Sequence, residues 1–291
     1  MSGPPTHLPA DVTTLEAPAV PALPLNDGRS IPQLGLGVWQ VPDAAVTPLV
    51  VTALAAGYRS IDTATLYGNE RGVGRAIARS PVPRAELFVT TKLWNDAHGH
   101  DAALRAFDES LARLALDHVD LYLIHWPAPR EDRYVETWRA LVRLRDEGRA
   151  RSIGVSNFTA AQLERIVGET GVVPAVNQVE LHPYLQQGEL RQLHRDLGIA
   201  TEAWSPLAKG GDLLGEQAVV ELAKKYDRTP AQVVIRWHLQ LGNVVIPKSV
   251  TPSRIQENLS VFDFQLDAGD MARLSTLERG LRTGPNPDTF N

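Results

Sequence analysis

The chain has no cysteine among its 291 residues. That absence excludes a disulfide framework, a thiolate nucleophile and a Cys-ligated metal. An excess of basic charge is missing too, since 29 Lys and Arg face 34 Asp and Glu for a formal net charge of -5. Generic binding to nucleic acid or anionic membrane draws on a broad Lys and Arg excess, so any anion site here must be local. No apolar run reaches the ~18 residues that cross a bilayer, and no basic start followed by an apolar stretch marks a signal peptide. A cytoplasmic protein is the expectation. What is present is a 43% apolar, 22% charged composition long enough to bury one large α/β core.

Residues 1–22 are rich in Pro, Ala, Thr and Ser without periodicity and read as a disordered extension, leaving residues 23–291 as a single domain. Apolar strand-like runs then recur at Leu34–Trp39, Arg59–Asp62, Leu87–Leu93, Val119–Trp126, Ser152–Ser156, Val176–Glu180, Ile199–Trp204 and Val244–Pro247. Helix-period segments separate them at Thr47–Ala56, Ala102–Leu114, Val135–Asp146, Ala160–Val167, Glu189–Leu197, Val219–Lys225 and Pro230–Leu241. Eight such repeats fit a closed (β/α)8 TIM barrel better than an open doubly wound sheet, which places function at the strand C-termini. Ahead of the first strand, Asn26-Asp27-Gly28 between Leu25 and Ile31 signals a β-hairpin suited to plug the barrel's N-terminal end.

Reading the strand ends in order brings Asp62, then Tyr67, Lys92 and His125 to one rim. An ammonium paired with a carboxylate beside a tyrosine is expected to favour the phenolate and lower the phenol pKa from ~10. Tyr67 then serves as general acid while a neutral His125 hydrogen-bonds a carbonyl oxygen. Each residue alone has a bland account: a cap, a loop aromatic, an exposed lysine, a core histidine. Four in this order at successive strand ends point to carbonyl reduction.

The motifs Gly35-Leu36-Gly37-Val38-Trp39, Ile61-Asp62-Thr63-Ala64 with Tyr67-Gly68-Asn69-Glu70, Thr91-Lys92-Leu93-Trp94, His125-Trp126-Pro127 and Ile246-Pro247-Lys248-Ser249 resemble those of the aldo-keto reductase family. Residues 148–158 and Asn177 to Tyr184 match as well, and the likeness runs over residues 25–291. It implies a nicotinamide cofactor, Tyr67 as proton donor tuned by Lys92 and Asp62, and His125 orienting the carbonyl. The short tail from Gly280 to Asn291 resembles that of bacterial members similar to diketogluconate reductases, so α-diketones and keto-sugars join aldehydes and ketones as expected substrates.

Gly72-Val73-Gly74 is no dinucleotide fingerprint, because the third glycine position is Ile77 and no strand precedes it. Gly35 and Gly37 instead suit a close backbone approach at the rim. Ser156, Asn157 and Gln178 have the donors and acceptors for a nicotinamide carboxamide, and Trp204 a face for its ring. Ser205 to Leu207 could meet the pyrophosphate through backbone N–H groups. In Ile246 to Arg254 a strand end runs into Thr251 and Pro252 as N-cap and first helical residue, where Lys248, Ser249, Val250 and Arg254 would hold a 2′-phosphate. NADPH is therefore expected over NADH, and the resemblance adds Glu257 and Asn258 at the adenine. Trp39, Trp94 and Trp126 are expected to wall the substrate site, while Trp138 and Trp237 belong to the core. No metal is assigned, for His125 is the lone histidine at a barrel strand end and no His-x-His occurs, against a metal-dependent barrel hydrolase. A cofactor-binding regulatory subunit is the other alternative, disfavoured by retention of all four catalytic residue types. The resemblance implies a monomer.

Overall fold

The computed structural model describes residues 20–291. Most of the residue 1–22 extension thus lies outside the described residues, although Ala22 already belongs to strand β1 (Ala22–Pro24). That strand pairs antiparallel with β2 (Ser30–Pro32) around a turn in which Leu25 N–H donates to the Arg29 carbonyl at 2.8 Å. Gly28 takes a φ of 83° there, a conformation glycine adopts without steric cost. Leu25 and Ile31 pack against Phe88, Leu121, Ala175, Val176 and Val244, which lie at the N-terminal ends of barrel strands. The hairpin plugs that end, as its sequence predicts.

Eight parallel strands follow in one sheet: β3 (Leu36–Gly37), β4 (Ser60–Asp62), β5 (Phe88–Leu93), β6 (Val119–Ile124), β7 (Ala150–Ser156), β8 (Val176–Glu180), β9 (Ala200–Trp204) and β10 (Val244–Val245). Their order around the sheet is their order in the chain. The ring closes where Gly35 N–H donates to the Val245 carbonyl and Val245 N–H to the Gln33 carbonyl, both at 2.9 Å. A Cβ on Gly37 would stand 2.9 Å from the Ile246 carbonyl oxygen, so this seam needs a residue without one. The close approach inferred for the glycine pair is what the seam uses.

Helices alternate with the strands: α1 (Asp43–Ala56), α2 (Glu70–Arg79), α3 (His100–Leu114), α4 (Tyr134–Asp146), α5 (Ala160–Thr170), α6 (Gly188–Leu197), α7 (Gln217–Tyr226), α8 (Pro230–Gln240), α9 (Pro252–Leu259) and α10 (Ala268–Ser275). Local chemistry sets several ends. Thr229 accepts from Gln232 N–H while the Gln232 side chain returns to Thr229 N–H, and Pro230 opens α8. Gly57, with φ of 114°, stops α1. Sequence periodicity missed α2 and α10 and foresaw only the start of α9. The glycines of α2 hid it, for they are packing devices: a Cβ on Gly74 would sit 2.1 Å from the Leu114 carbonyl oxygen at the end of α3. Trp138 and Trp237 are fully buried, as expected of core residues. Among the described residues, no helix is long and apolar enough to cross a membrane.

Candidate active site

Asp62 ends β4, Lys92 is the penultimate residue of β5 and His125 follows β6, so parallel register sets all three at one end of the barrel. Tyr67 arrives from a single helical turn, Thr65–Tyr67, closed by Gly68 with φ of 65°. What fixes that turn is Asn69. Buried, it accepts from Thr63 Oγ1 at 2.6 Å and donates to the carbonyls of Val38 and Val41, each at 2.9 Å. Glu70 then pairs with Arg113 and accepts from Thr91 Oγ1 at 2.6 Å, tying the start of α2 to β5.

Lys92 is fully buried, and its Nζ donates to Asp62 Oδ1 at 2.5 Å, the Thr63 carbonyl at 3.0 Å and Tyr67 Oη at 3.4 Å. Burial pulls the lysine pKa down, but Asp62 and Tyr67 outweigh it and the ammonium is held above its ordinary range. The phenol of Tyr67 moves opposite to the sequence expectation. Burial raises its pKa, and the opposing pull of Lys92 is offset by Asp62, so Tyr67 remains a neutral O–H donor through the physiological range. The physical reason is burial, which wins because Lys92 and Asp62 together present a nearly neutral pair to the phenol. His125 is kept neutral, its pKa held well below 6.5 by burial and by the Lys92 charge. Its ring stands 5.7 Å from Tyr67 and 5.1 Å from Trp94, centre to centre.

These groups open onto a cavity of about 1270 Å³. Trp39, Trp94 and Trp126 line it at one end with His125 and Tyr67. His98 bonds both Thr137 Oγ1 and the Trp126 carbonyl, so it is a satisfied structural histidine that holds the Trp126 segment. The C-terminal tail completes this wall. Phe290 lies 4.6 Å from Trp126 and 6.2 Å from Trp94. Glu180, buried at the end of β8, anchors the tail by accepting from Thr283 N–H and Oγ1, both at 2.6 Å, and from Gly284 N–H at 3.1 Å. His182 adds a contact to the same carboxylate at 3.1 Å. Burial alone would raise the Glu180 pKa, but these donors leave it lowered.

Ser156, Asn157, Gln178 and Trp204 line the same cavity as Asp62, Tyr67 and His125. Asn157 has a φ of 63°, and its Oδ1 accepts from Trp204 Nε1 at 2.8 Å, which fixes the indole. Ser205, Leu207, Lys248, Ser249, Val250, Arg254, Glu257 and Asn258 line the cavity as well. Thr251 is the N-cap of α9 as predicted, yet no side chain caps that helix. Its first turn opens beside Lys248 and Arg254, both exposed and without an ion pair among the described residues. An uncapped N-terminus flanked by two cations suits a phosphate group. Glu257 is held by Thr229 Oγ1 at 2.6 Å. The donor set therefore fits a dinucleotide: amides and an indole beside Asp62 and His125, and two exposed cations at the start of α9 on the same cavity. Among the described residues, no cluster of three or more His, Cys, Asp or Glu could hold a metal.

Three residues escaped sequence reasoning: Phe290, Glu180 and Glu202, the last buried on β9 and accepting from Gln178 Nε2 at 2.8 Å. Glu202 could have been suspected, because strand alternation puts it on the same side of β9 as Trp204. Nothing local marks Phe290, whose place depends on where Glu180 pins the tail.

The chain's matches to known proteins agree with this geometry. A model described as the Aldo/keto reductase family matches residues 33–279. An aldo-keto reductase of Mycolicibacterium smegmatis is 57% identical over 93% of this chain and 98% of its own length. Methylglyoxal reductase DkgA of Escherichia coli is 53% identical over 91% of this chain and 96% of its own. A crystal structure of a Gox0644 variant in complex with NADPH superposes with a TM-score of 0.90 at 51% identity, covering 94% of this chain and all, 100%, of that one.

Proposed function

The chain belongs to the aldo/keto reductase family, and we propose that it reduces small aldehydes and ketones to alcohols with NADPH, with Tyr67 as the proton donor. The observation that carries this reading is the placement of a neutral phenol, a buried Lys92–Asp62 pair and a neutral imidazole on one cavity of about 1270 Å³, large enough for a dinucleotide. NADPH, when bound, supplies the hydride to the carbonyl carbon. Tyr67 gives its phenolic proton to the carbonyl oxygen, and solvent restores that proton afterwards. Lys92 lies 3.4 Å from the phenol oxygen and stabilises the charge that develops on it as the proton leaves. Asp62 keeps Lys92 charged and aimed. His125, neutral and therefore still holding a donor and an acceptor, hydrogen-bonds the same carbonyl oxygen and orients it. Trp39, Trp94, Trp126 and Phe290 exclude water from the reacting end.

Ser156, Asn157 and Gln178 would hold the carboxamide, Trp204 the nicotinamide face, and Ser205 with Leu207 the pyrophosphate. Lys248, Ser249, Val250 and Arg254 would hold the 2′-phosphate, and Glu257 with Asn258 the adenine. DkgA is named for methylglyoxal, a small α-ketoaldehyde, and an apolar aromatic pocket with two oxygen-directed donors suits that class. The test is loss of reduced-nicotinamide absorbance with NADPH or NADH against methylglyoxal, simple aldehydes, α-diketones and keto-sugars, with and without chelator. NADPH-preferring, chelator-insensitive turnover is expected. Tight NADPH binding without turnover on any carbonyl would favour a regulatory role and overturn the reading.

A further inference from the structure

Glu202 takes no part in the chemistry above, yet it lies on β9 inside the barrel, directly beneath it. Only 1% of its surface is exposed, and its Oε2 accepts from Gln178 Nε2 at 2.8 Å. The same nitrogen donates to Asp62 Oδ2 at 2.9 Å, and the other oxygen of Asp62 is taken by Lys92. Gln178 thus commits both amide hydrogens to two carboxyl groups.

A primary amide has two donors on nitrogen and an acceptor oxygen, and rotating it by half a turn exchanges them. Here the exchange would set Oε1 against the Asp62 carboxylate and give up the Nε2 bond to Glu202 Oε2, so that lone-pair repulsion at Asp62 replaces a hydrogen bond in a buried site. One orientation is therefore imposed. In it, Oε1 has no protein donor among the described residues, and Gln178 lines the cavity. Burial and the nearby Asp62 charge push the Glu202 carboxyl up to about 8, so the pair avoids stacking two full charges while still offering an oxygen to Gln178.

We propose that Glu202 is a positioning residue for cofactor recognition: with Asp62 it locks the Gln178 amide so that the side chain presents only an acceptor to the nicotinamide carboxamide. The inference rests on reading this cavity wall as the nicotinamide site. Its consequence is selectivity for a ring substituent that carries N–H. With Asp62 as the sole remaining anchor, the amide swings about a single hydrogen bond and that selectivity relaxes.

The probes are NADP and its 3-acetylpyridine analogue, which has a methyl group where the carboxamide has NH2. Dissociation constants come from quenching of tryptophan fluorescence in the wild type, Glu202→Gln and Glu202→Met, with thermal melts to verify folding. Loss of one hydrogen bond to a buried acceptor predicts that the wild type prefers NADP by about tenfold. Glu202→Met should reduce that preference to about threefold or less, whereas Glu202→Gln, which still offers an oxygen to Gln178, should keep most of it. Should Glu202→Met not fold, Glu202→Thr, too short to reach Gln178, takes its place. An unchanged preference in the variant lacking the acceptor overturns the positioning role. Equal loss in both variants assigns the effect to disturbed packing and also overturns it. A wild type without preference removes the carboxamide reading of Gln178, and failure of NADP to bind at all removes the proposed function itself.

Discussion

Lys92→Met separates what the buried ion pair does for the fold from what it does for chemistry. Lys92 and Asp62 are 0% and 2% exposed, so deleting the ammonium leaves a carboxylate with Gln178 as its remaining side-chain partner. Removing one member of a buried pair costs about 3–5 kcal/mol. At about 2.1 cal/mol/K per residue of unfolding entropy, 3–5 kcal/mol lowers Tm by about 5–8 °C in a chain of this size. The double variant Lys92→Met/Asp62→Asn needs no buried charge and should regain about 2–3 kcal/mol over Lys92→Met alone. Urea unfolding of the four proteins at pH 7 measures this directly. Additivity within about 0.5 kcal/mol at pH 7 would refute the claim that the two side chains form one electrostatic unit. Neither Lys92→Met nor the double variant should turn over, because the ammonium that stabilises the negative charge left on Tyr67 Oη as its proton departs is gone in both.

Arg254→Ala should weaken NADPH by about tenfold and NADH by less than about twofold, a modest loss because Arg254 is exposed and screened; equal losses in fluorescence titrations would remove its assignment to the 2′-phosphate. Glu180→Gln should raise KM for carbonyls severalfold at nearly constant kcat, and speed tryptic cleavage after Arg282, since the tail that carries Phe290 loses its charged anchor. Unchanged proteolysis would show the tail is held elsewhere. The reductive kcat/KM should show no limb from His125 above pH 6.5 and none from Tyr67 below pH 10, as the first is shifted down and the second up. Any step near pH 8 belongs to Glu202, shifted up to about 8, and should vanish in Glu202→Gln; a limb that persists there contradicts the dominance of burial at Tyr67.

The eight-strand repeat was legible because buried parallel strands carry uninterrupted apolar residues, as in Leu121 to Ile124. Their ends fixed the site: Asp62, Lys92 and His125 stand at consecutive strand termini, so topology alone brings them together. Helix α2 was not legible. Gly72 and Gly74, which read locally as helix breakers, are required by close contacts with α1 and α3 that only the fold reveals. The sign of the Tyr67 shift failed for a related reason, because proximity of a lysine can be read from order along the strands, whereas the extent of burial cannot. Phe290 and Glu180 are 110 residues apart in number, and their joint effect on the pocket depends on a tail whose sequence has no periodicity.

The central claim is that Tyr67 protonates the carbonyl, and Tyr67→Phe tests it by removing one oxygen atom. Single-turnover NADPH oxidation with methylglyoxal, alongside NADPH titration by fluorescence, is the measurement. The account predicts cofactor affinity within about twofold of wild type and a rate lower by at least about a hundredfold, the usual contribution of a positioned general acid. A rate within a few fold of wild type at unchanged affinity would contradict it, and would move the proton donor to another group on the cavity wall.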